Sequence, residues 1–238
     1  MKQFLLIFQL LCFINLYAQH FQTPTQKVNT IKFANVSGYV SIEGTTNKEI
    51  SIDYYSDDAQ SKTLPGNTGV GLELQKLDSA WVFTGLLSET SKGRYAIKVP
   101  EKTVLNYQSD ADHTRHVVIA KCKGDIDINI PKDVTLTEVS GGVVIQSTSG
   151  KVTVNSIAIS KHKPVSIITE TGPISLAIPA NTNAELKLGT ATGTVHAAYN
   201  NEKGKTLMNG KQLNTKLGTG GPQIHIQSLS GDIHFVQY

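Results

Sequence analysis

The sequence predicts an all-β fold, a single-domain β-solenoid with parallel rungs, like a parallel β-helix. The first observation is a recurring glycine that is followed by apolar residues at alternate positions, a pattern typical of a turn and a half-buried strand. We expect each of these glycines to supply the positive φ of its turn. The pattern recurs at 38–42, 124–128, 150–154, 172–176, 193–197 and 231–235.

The spacing of these copies is the second observation. Gly150 and Gly172 are 22 residues apart, and Gly172 and Gly193 are 21 apart, within the period of roughly 20 to 50 residues that marks stacked repeats. We therefore expect the apolar residues of the repeats to stack inside the solenoid in continuous ladders. These residues are Ile126, Ile128, Val152, Val154, Ile174, Leu176, Val195, Ile224, Ile226, Ile233 and Phe235.

A third observation is that a β-branched residue and a proline close three of the alternating segments. The pairs lie at 99–100, 130–131 and 178–179. Proline fixes φ and donates no backbone hydrogen bond, so we expect it to stop the strand and turn the chain at the same place in each copy. The repetition indicates internal duplication.

The first residues are interpreted as a signal peptide. Lys2 precedes an apolar run over 4–17, and small Ala18 follows it, a pattern that is too short for a membrane span. We predict a signal peptide over 1–18 and a β-solenoid domain over 19–238, exported to the periplasm, the cell surface or the extracellular space. Cys122 is the only cysteine outside the leader, so no intramolecular disulfide is expected.

The segments between the repeats are assigned from their patterns. Two strands around a turn are predicted over 31–55, and they are interpreted as an N-terminal strand cap. An exposed loop is predicted over 56–69, and a hairpin-like region over 70–98. Residues 199–221 predict a long surface loop, and no segment after the leader has a sustained helical period. Trp81 is in phase with Phe83, which favours a core aromatic over a sugar-stacking platform.

Net charge argues against nucleic acid as a partner. The formal charge is +3 and Arg94 and Arg115 are the only arginines, a weak basis for reading phosphates. No apolar run after the leader is long enough to cross a membrane. We therefore expect neither a nucleic-acid partner nor a membrane span.

The leader, the Gly-Asp-Ile strands, the Ile-Pro steps and the final Ser-Gly-Asp-Ile-His-Phe at 230–235 together resemble the bacterial putative-adhesin family of exported β-solenoids, which is defined by a domain of unknown function. The resemblance extends from about Val36 to Tyr238 and is strongest after Gly124. It implies a right-handed, largely parallel β-helix at the cell envelope, with no catalytic residues or cofactor to carry over.

No catalytic motif is found. There is no nucleophile elbow, Walker loop or His-Glu-x-x-His pattern, and the glycine-rich stretch at 218–221 is interpreted as a loop. Asp110, Asp112, His113 and His116 form a polar cluster that is either a solvated loop or a metal site.

The function class predicted is a non-enzymatic adhesin or scaffold that binds an envelope glycan or protein through its polar faces. The alternative is a β-helix lyase or hydrolase acting on polysaccharide. Such an enzyme needs clustered carboxylates or a cationic base on one face, whereas Asp127 and Asp232 are isolated in the sequence.

Three histidines, His196, His225 and His234, each follow the first inward apolar residue of a strand. They should therefore all point outward. On neighbouring rungs they would form a ladder able to bind a transition metal or to become charged together near pH 6.5. The simpler interpretation is a solvated polar face, because an exposed ladder lacks the groups that usually orient a histidine ligand.

Overall fold

The structure, a computed structural model, describes residues 18–25, 28–56, 64–87, 93–110, 114–155, 157–159, 163–201 and 204–238. Every regular element within these ranges is a β-strand, so the all-β prediction is confirmed. Consequently no described helix could span a membrane. The leader predicted over 1–18 lies outside the described residues except for Ala18, which begins the first strand.

The strands form two sheets, called sheet A and sheet B. The strands of each sheet are given in the order in which they are hydrogen-bonded to one another. Sheet A contains β1 (Ala18–Pro24), β4 (Glu49–Tyr55), β7 (Arg94–Pro100), β3 (Gly38–Thr45), β9 (Thr114–Ala120), β11 (Asp133–Thr137), β13 (Val152–Asn155), β15 (Ile174–Ile178), β21 (Ile233–Gln237), β17 (Val195–Asn201) and β18 (Gly204–Gly210). Sheet B contains β19 (Gln212–Leu217), β16 (Ala184–Thr190), β20 (Gln223–Ser228), β14 (Val165–Thr169), β12 (Val143–Ser147), β10 (Ile126–Asn129), β8 (Val104–Gln108), β2 (Thr30–Ala34), β6 (Ala80–Gly85) and β5 (Leu72–Lys76).

Each coil of the solenoid consists of one strand of sheet B followed by one strand of sheet A. The coils from β6–β7 to β16–β17 stack through parallel pairing in both sheets. The register aligns like residues, for example Val152 with Ile174 and Leu176 with Phe235. The fold is therefore a largely parallel, solenoid-like stack of two sheets.

The hydrophobic core lies between the two sheets. All eleven residues predicted to point inward have an exposed fraction of 1% or less, which confirms the phase of the alternation. Phe33 stacks on Phe83 with 5.4 Å between ring centroids, and Tyr107 lies beside Phe33 at 6.0 Å. The aromatic rings thus fill the N-terminal half of the core, where the coils β6–β7, β2–β3 and β8–β9 meet.

The expected reason for the repeat glycines is wrong for most of them. Only Gly38 among the glycines that begin the repeats has a positive φ, at 87°. The others lie at corners where coils approach closely. A Cβ at Gly172 would lie 1.8 Å from the carbonyl oxygen of Gly150, and one at Gly231 would lie 2.2 Å from that of Gly172. Glycine is needed at these positions because the stacked corners leave no space for a Cβ atom, and not because the backbone is left-handed.

The proline pairs end their strands, but they do not mark one place in the coil. Pro100 ends β7, and Pro179 follows β15, both in sheet A. Pro131 lies two residues after β10 in sheet B. The predicted common position is therefore wrong, because the proline turn occurs both after strands of sheet A and after a strand of sheet B.

Each end of the stack is covered by antiparallel strands. β5 pairs with β6, and β4 pairs with β7 and β1, at the N-terminal end. The predicted N-terminal cap is formed, but β3 and β4 are not neighbours, since β7 lies between them. The hairpin-like interpretation of 70–98 is confirmed for β5 and β6, which pair antiparallel, whereas β7 belongs to sheet A.

At the opposite end, β18 pairs antiparallel with β17, and β19 pairs antiparallel with β16. The prediction of a long surface loop over 199–221 is therefore wrong. On β19, exposed Asn214 and Lys216 alternate with buried Leu213 and Leu217. These strands cover the last coil as β4 and β5 cover the first.

Candidate functional site

The three predicted histidines lie on outward positions, but not on one face. His196 on β17 is in register with His234 on β21 in sheet A. His225 lies on β20 in sheet B, in register with Ser166 and Lys187. The predicted three-histidine ladder is wrong, because β20 and β21 are successive strands of one coil and thus belong to opposite sheets.

The remaining histidine pair is closely stacked. The ring centroids of His196 and His234 lie 4.8 Å apart with an interplanar angle of 13°. His196 Nδ1 lies 2.7 Å from Asn209 Oδ1 on neighbouring β18. Because an amide oxygen only accepts, Nδ1 carries the donated proton, and Nε2 of the neutral ring keeps a free lone pair.

Asp232 lies beside this pair. Its Oδ1 accepts the backbone N–H of Thr194 at 2.8 Å. The carboxylate and the two imidazoles offer ligand atoms that all lie within 4.8 Å of one another. His196 is half-buried, and Asp232 and His234 are exposed, so the cluster is open to solvent.

His225 lies in a groove of about 510 Å³ on the outer face of sheet B, between β19, β16 and β20. The groove exists because Gly189 has no side chain between Gln212 and Gln227, its partners on the neighbouring strands. A Cβ at Gly189 would meet only Gln212 Cγ, at 3.7 Å. A larger residue at 189 would therefore fill the groove without a clash at its first carbon.

Polar and cationic side chains line the groove. Lys187, His225 and Asn214 occupy one outward row across its three strands. The Lys211 ammonium donates to the carbonyl oxygens of Thr192 and Gly193 at the corner of the coil. No carboxylate is among the residues that line the groove, so its described surface has ammonium, imidazole and amide groups.

The adjacent outward row on sheet B is a row of amides. Residues in register on neighbouring strands form this row. In order across the sheet they are Gln212, Gly189, Gln227, half-exposed Ile168, Gln146, Asn129 and Gln108. We call this set, Gln212, Gln227, Gln146, Asn129 and Gln108, the amide row. It runs from the groove across the stack toward the N-terminal coils.

The other residues considered from sequence have structural roles. Trp81 has an exposed fraction of 6%, and the Lys76 ammonium lies 4.6 Å from the centroid of its ring, so the core interpretation is confirmed. The 218–221 stretch is a turn after β19 and is followed by β20 rather than a helix.

The polar cluster of four predicted residues is only partly described. His116 Nε2 lies 3.0 Å from Thr135 Oγ1 on the next coil, and the Asp110 N–H donates to Asn35 Oδ1 at 3.0 Å. Asp112 and His113 lie outside the described residues. The metal interpretation of this cluster stays a prediction.

His20 and Cys122 are among the titratable groups whose pKa values are shifted. The hydrogen bond that His20 Nδ1 donates to Asp53 Oδ1 raises the pKa of His20 above its ordinary value, and both residues lie on the antiparallel strands at the N-terminal end. Burial raises the pKa of the Cys122 thiol to about 12. Cys122 is therefore an inert core residue at neutral pH.

Sequence reasoning missed Asp232, Asn209 and Gly189 as members of these sites. The Asp232-x-His234 spacing is visible in the sequence, since residues two apart on a strand share a face. Asn209 could not be found, because its segment was interpreted as a loop. Gly189 has no repeat signature, and its importance follows from the cross-strand register.

A family model described as Toastrack DUF4097 matches residues 120–235, from the end of β9 into β21. This part of the chain is similar to the toastrack family. The predicted family resemblance is thereby confirmed for the part that contains the histidine pair and the groove. A search of curated proteins finds no match.

Two solved structures are similar to this chain over most of its length. One is a putative cell adhesion protein from Clostridium sporogenes, with 14% identity, a TM-score of 0.50, and coverage of 94% of this chain and 100% of that chain. The other is a putative adhesin from Bacteroides fragilis, with 12% identity, a TM-score of 0.40, and coverage of 92% and 97%. At 14% identity the first likeness establishes a shared fold.

Proposed function

We propose that the protein is an exported, non-enzymatic surface protein that binds an envelope glycan through the outer face of sheet B, as an adhesin or scaffold. The observation that carries this proposal is the amide row with the adjoining groove at Gly189. Such a surface is long, polar and open, and it extends along the stack of coils. A polymer fits this shape better than a small molecule, which is bound in a concave pocket.

The chemistry of the row supports a hydroxyl-rich ligand. An amide side chain both donates and accepts hydrogen bonds, as sugar hydroxyls do. Neighbouring strands in a sheet lie about 4.8 Å apart, so Gln146, Asn129 and Gln108 offer amides at a regular interval. Lys187 and His225 at the groove end add sites for an acidic substituent.

Adhesion is also the role named for a protein with the same fold. The Clostridium sporogenes structure is described as a putative cell adhesion protein, which supports the proposal by analogy of fold. We further propose that the coils wind in the right-handed sense, as crossovers between parallel strands nearly always do. The predicted signal peptide over 1–18 is consistent with a site outside the cytoplasm.

The lining of the groove favours binding over turnover. Most glycoside hydrolases place two carboxyl groups on either side of the bond that they cleave. The residues that line the groove include no carboxylate. A polysaccharide-active enzyme remains the alternative, and the binding experiment tests it at the same time.

Substitution of Gly189 by leucine tests the proposal. The side chain fills the groove, so binding of the purified protein to envelope glycans on an array or by calorimetry should weaken by tenfold or more, about 1.4 kcal/mol. Ala177→Leu is the matched control, because Ala177 is an outward residue of β15 on sheet A, away from the proposed glycan surface. Its binding should be unchanged.

Two results would contradict the proposal. Equal binding by Gly189→Leu and the parent protein would remove the groove from the binding surface. Release of shorter sugars from a bound glycan, abolished by a single substitution in sheet B, would establish the enzyme instead.

A further inference from the structure

We propose that His196, His234 and Asp232 bind one divalent transition-metal ion on the outer face of sheet A. Neighbouring coils hold these residues together, since β17 and β21 are paired in parallel register. Their ligand atoms lie within 4.8 Å of one another. The site is on the opposite sheet from the groove and the amide row, so it is separate from the proposed glycan surface.

The distances suit a metal ion after a small side-chain adjustment. Zinc lies about 2.0–2.2 Å from imidazole nitrogen and carboxylate oxygen, so two ligands of one ion are at most about 4.4 Å apart. The ligand atoms of the cluster all lie within 4.8 Å of one another, so side-chain rotation can bring them to a shared ion. His234 and Asp232 are exposed, and rotation about their side-chain bonds meets little resistance.

The protein already orients two of the three ligands. Asn209 Oδ1 accepts the Nδ1–H of His196, which directs the free Nε2 lone pair away from Asn209. The N–H of Thr194 holds Asp232 Oδ1, which leaves Oδ2 available. Hydrogen bonds of this kind typically change metal affinity 10–100-fold. The sequence alone did not predict that the histidine pair has such orienting groups.

The same corner occurs elsewhere in sheet A without a histidine pair, since only His116 on β9 is in register with Asp133, and it lies 3.0 Å from Thr135 Oγ1. Asp133 Oδ1 accepts the N–H of Lys151 at 2.8 Å, as Asp232 accepts that of Thr194. Two residues after Asp133, outward Thr135 is in register with Thr153. The fold thus fixes the aspartate at this corner, and only the histidine pair turns the corner into a possible metal site.

The ligand set indicates the class of metal. Two imidazoles and one carboxylate with a fourth position open to water are typical of Zn²⁺ and related divalent ions such as Cu²⁺ and Ni²⁺. Calcium and magnesium are bound by oxygen ligands alone in most proteins. We therefore expect zinc and copper to bind, and calcium to bind far more weakly.

Titration of the metal-free full chain with ZnCl₂ by calorimetry tests this site. We expect one ion per chain and at least tenfold weaker binding in His196→Ala and in His234→Ala. Asn209→Ala should weaken binding about tenfold through the lost hydrogen bond. His225→Ala is the matched control, because it removes an outward histidine from the other sheet and should leave zinc affinity unchanged.

A structural readout separates metal binding from a loss of folding. The imidazole resonances of His196 and His234 should shift together on zinc addition in the parent protein, while that of His225 stays in place. Equal zinc affinity in the parent and His234→Ala, or equal weakening by His225→Ala, would overturn the site. Gly189→Leu should retain zinc binding, so failure of the glycan proposal is distinguishable from failure of this one.

Discussion

Gly172 lies at a corner where three coils meet closely. Its would-be Cβ position is 1.8 Å from the carbonyl oxygen of Gly150, and its own carbonyl oxygen blocks the Cβ position of Gly231 at 2.2 Å. A backbone carbonyl cannot move away as a flexible side chain can. The corner glycines are thus a steric consequence of stacking coils at the strand spacing of about 4.8 Å.

Substitution of Gly172 by alanine should lower the free energy of unfolding by about 1–3 kcal/mol, because the added methyl group overpacks the corner. Urea unfolding followed by circular dichroism measures the change in midpoint at constant slope. Gly189→Ala is the control, since its Cβ makes only an ordinary 3.7 Å contact. That variant should gain up to about 1 kcal/mol from reduced chain entropy. Equal stability of the two variants would contradict the steric explanation.

At the scale of the element, a ladder of buried hydroxyl groups ends the sheet-B strands at this corner. Ser147, Thr169, Ser228 and Thr190 occupy successive rungs in register. Thr169 Oγ1 donates to the Gly172 carbonyl oxygen at 2.7 Å and lies 2.9 Å from Ser228 Oγ. Ser228 Oγ in turn accepts the N–H of Gly231 at 2.8 Å. The ladder therefore satisfies buried backbone groups that the turns remove from strand pairing.

Replacement of Thr169 by valine should destabilise the protein by about 1–3 kcal/mol, because buried partners lose a hydrogen bond. The Thr169→Val and Ser228→Ala changes should not add, since the two hydroxyls are hydrogen-bonded to each other. Thermal and urea unfolding of the single and double variants give this coupling. Thr153→Val, on the outward face of sheet A, should change stability by no more than about 0.5 kcal/mol. Additive losses would mean that the hydroxyls act independently.

Alternation of apolar and polar residues predicted the inward and outward phase of the repeat strands, since that phase depends only on neighbours along the chain. It could not predict which sheet a strand joins, because strands of both sheets have the same alternation. His225 and His234 therefore looked equivalent in the sequence, although they lie on opposite sheets. The metal cluster needed this cross-strand information, as did the groove at Gly189.

At the scale of the whole molecule, the chain order and the stacking order differ at the C-terminal end. The last coil, β20–β21, is inserted between the coil β14–β15 and the coil β16–β17. Its strands pair in parallel with both neighbours in both sheets. The coil β16–β17 and its antiparallel cover, β18 and β19, contact the rest of the stack mainly through the inserted coil β20–β21.

Deletion of residues 222–238 should therefore detach the end of the stack. Hydrogen exchange measured by mass spectrometry should show protection lost across β16–β19 and retained in β10–β13, because the latter keep both parallel neighbours. Deletion of β1 is the control, since among the described strands β1 pairs only with β4, at the edge of sheet A. It should leave protection of β16–β19 unchanged. Protected amides in β16–β19 after the C-terminal deletion would mean that this coil docks directly on β14–β15, and that the inserted coil is dispensable for closing the end of the solenoid.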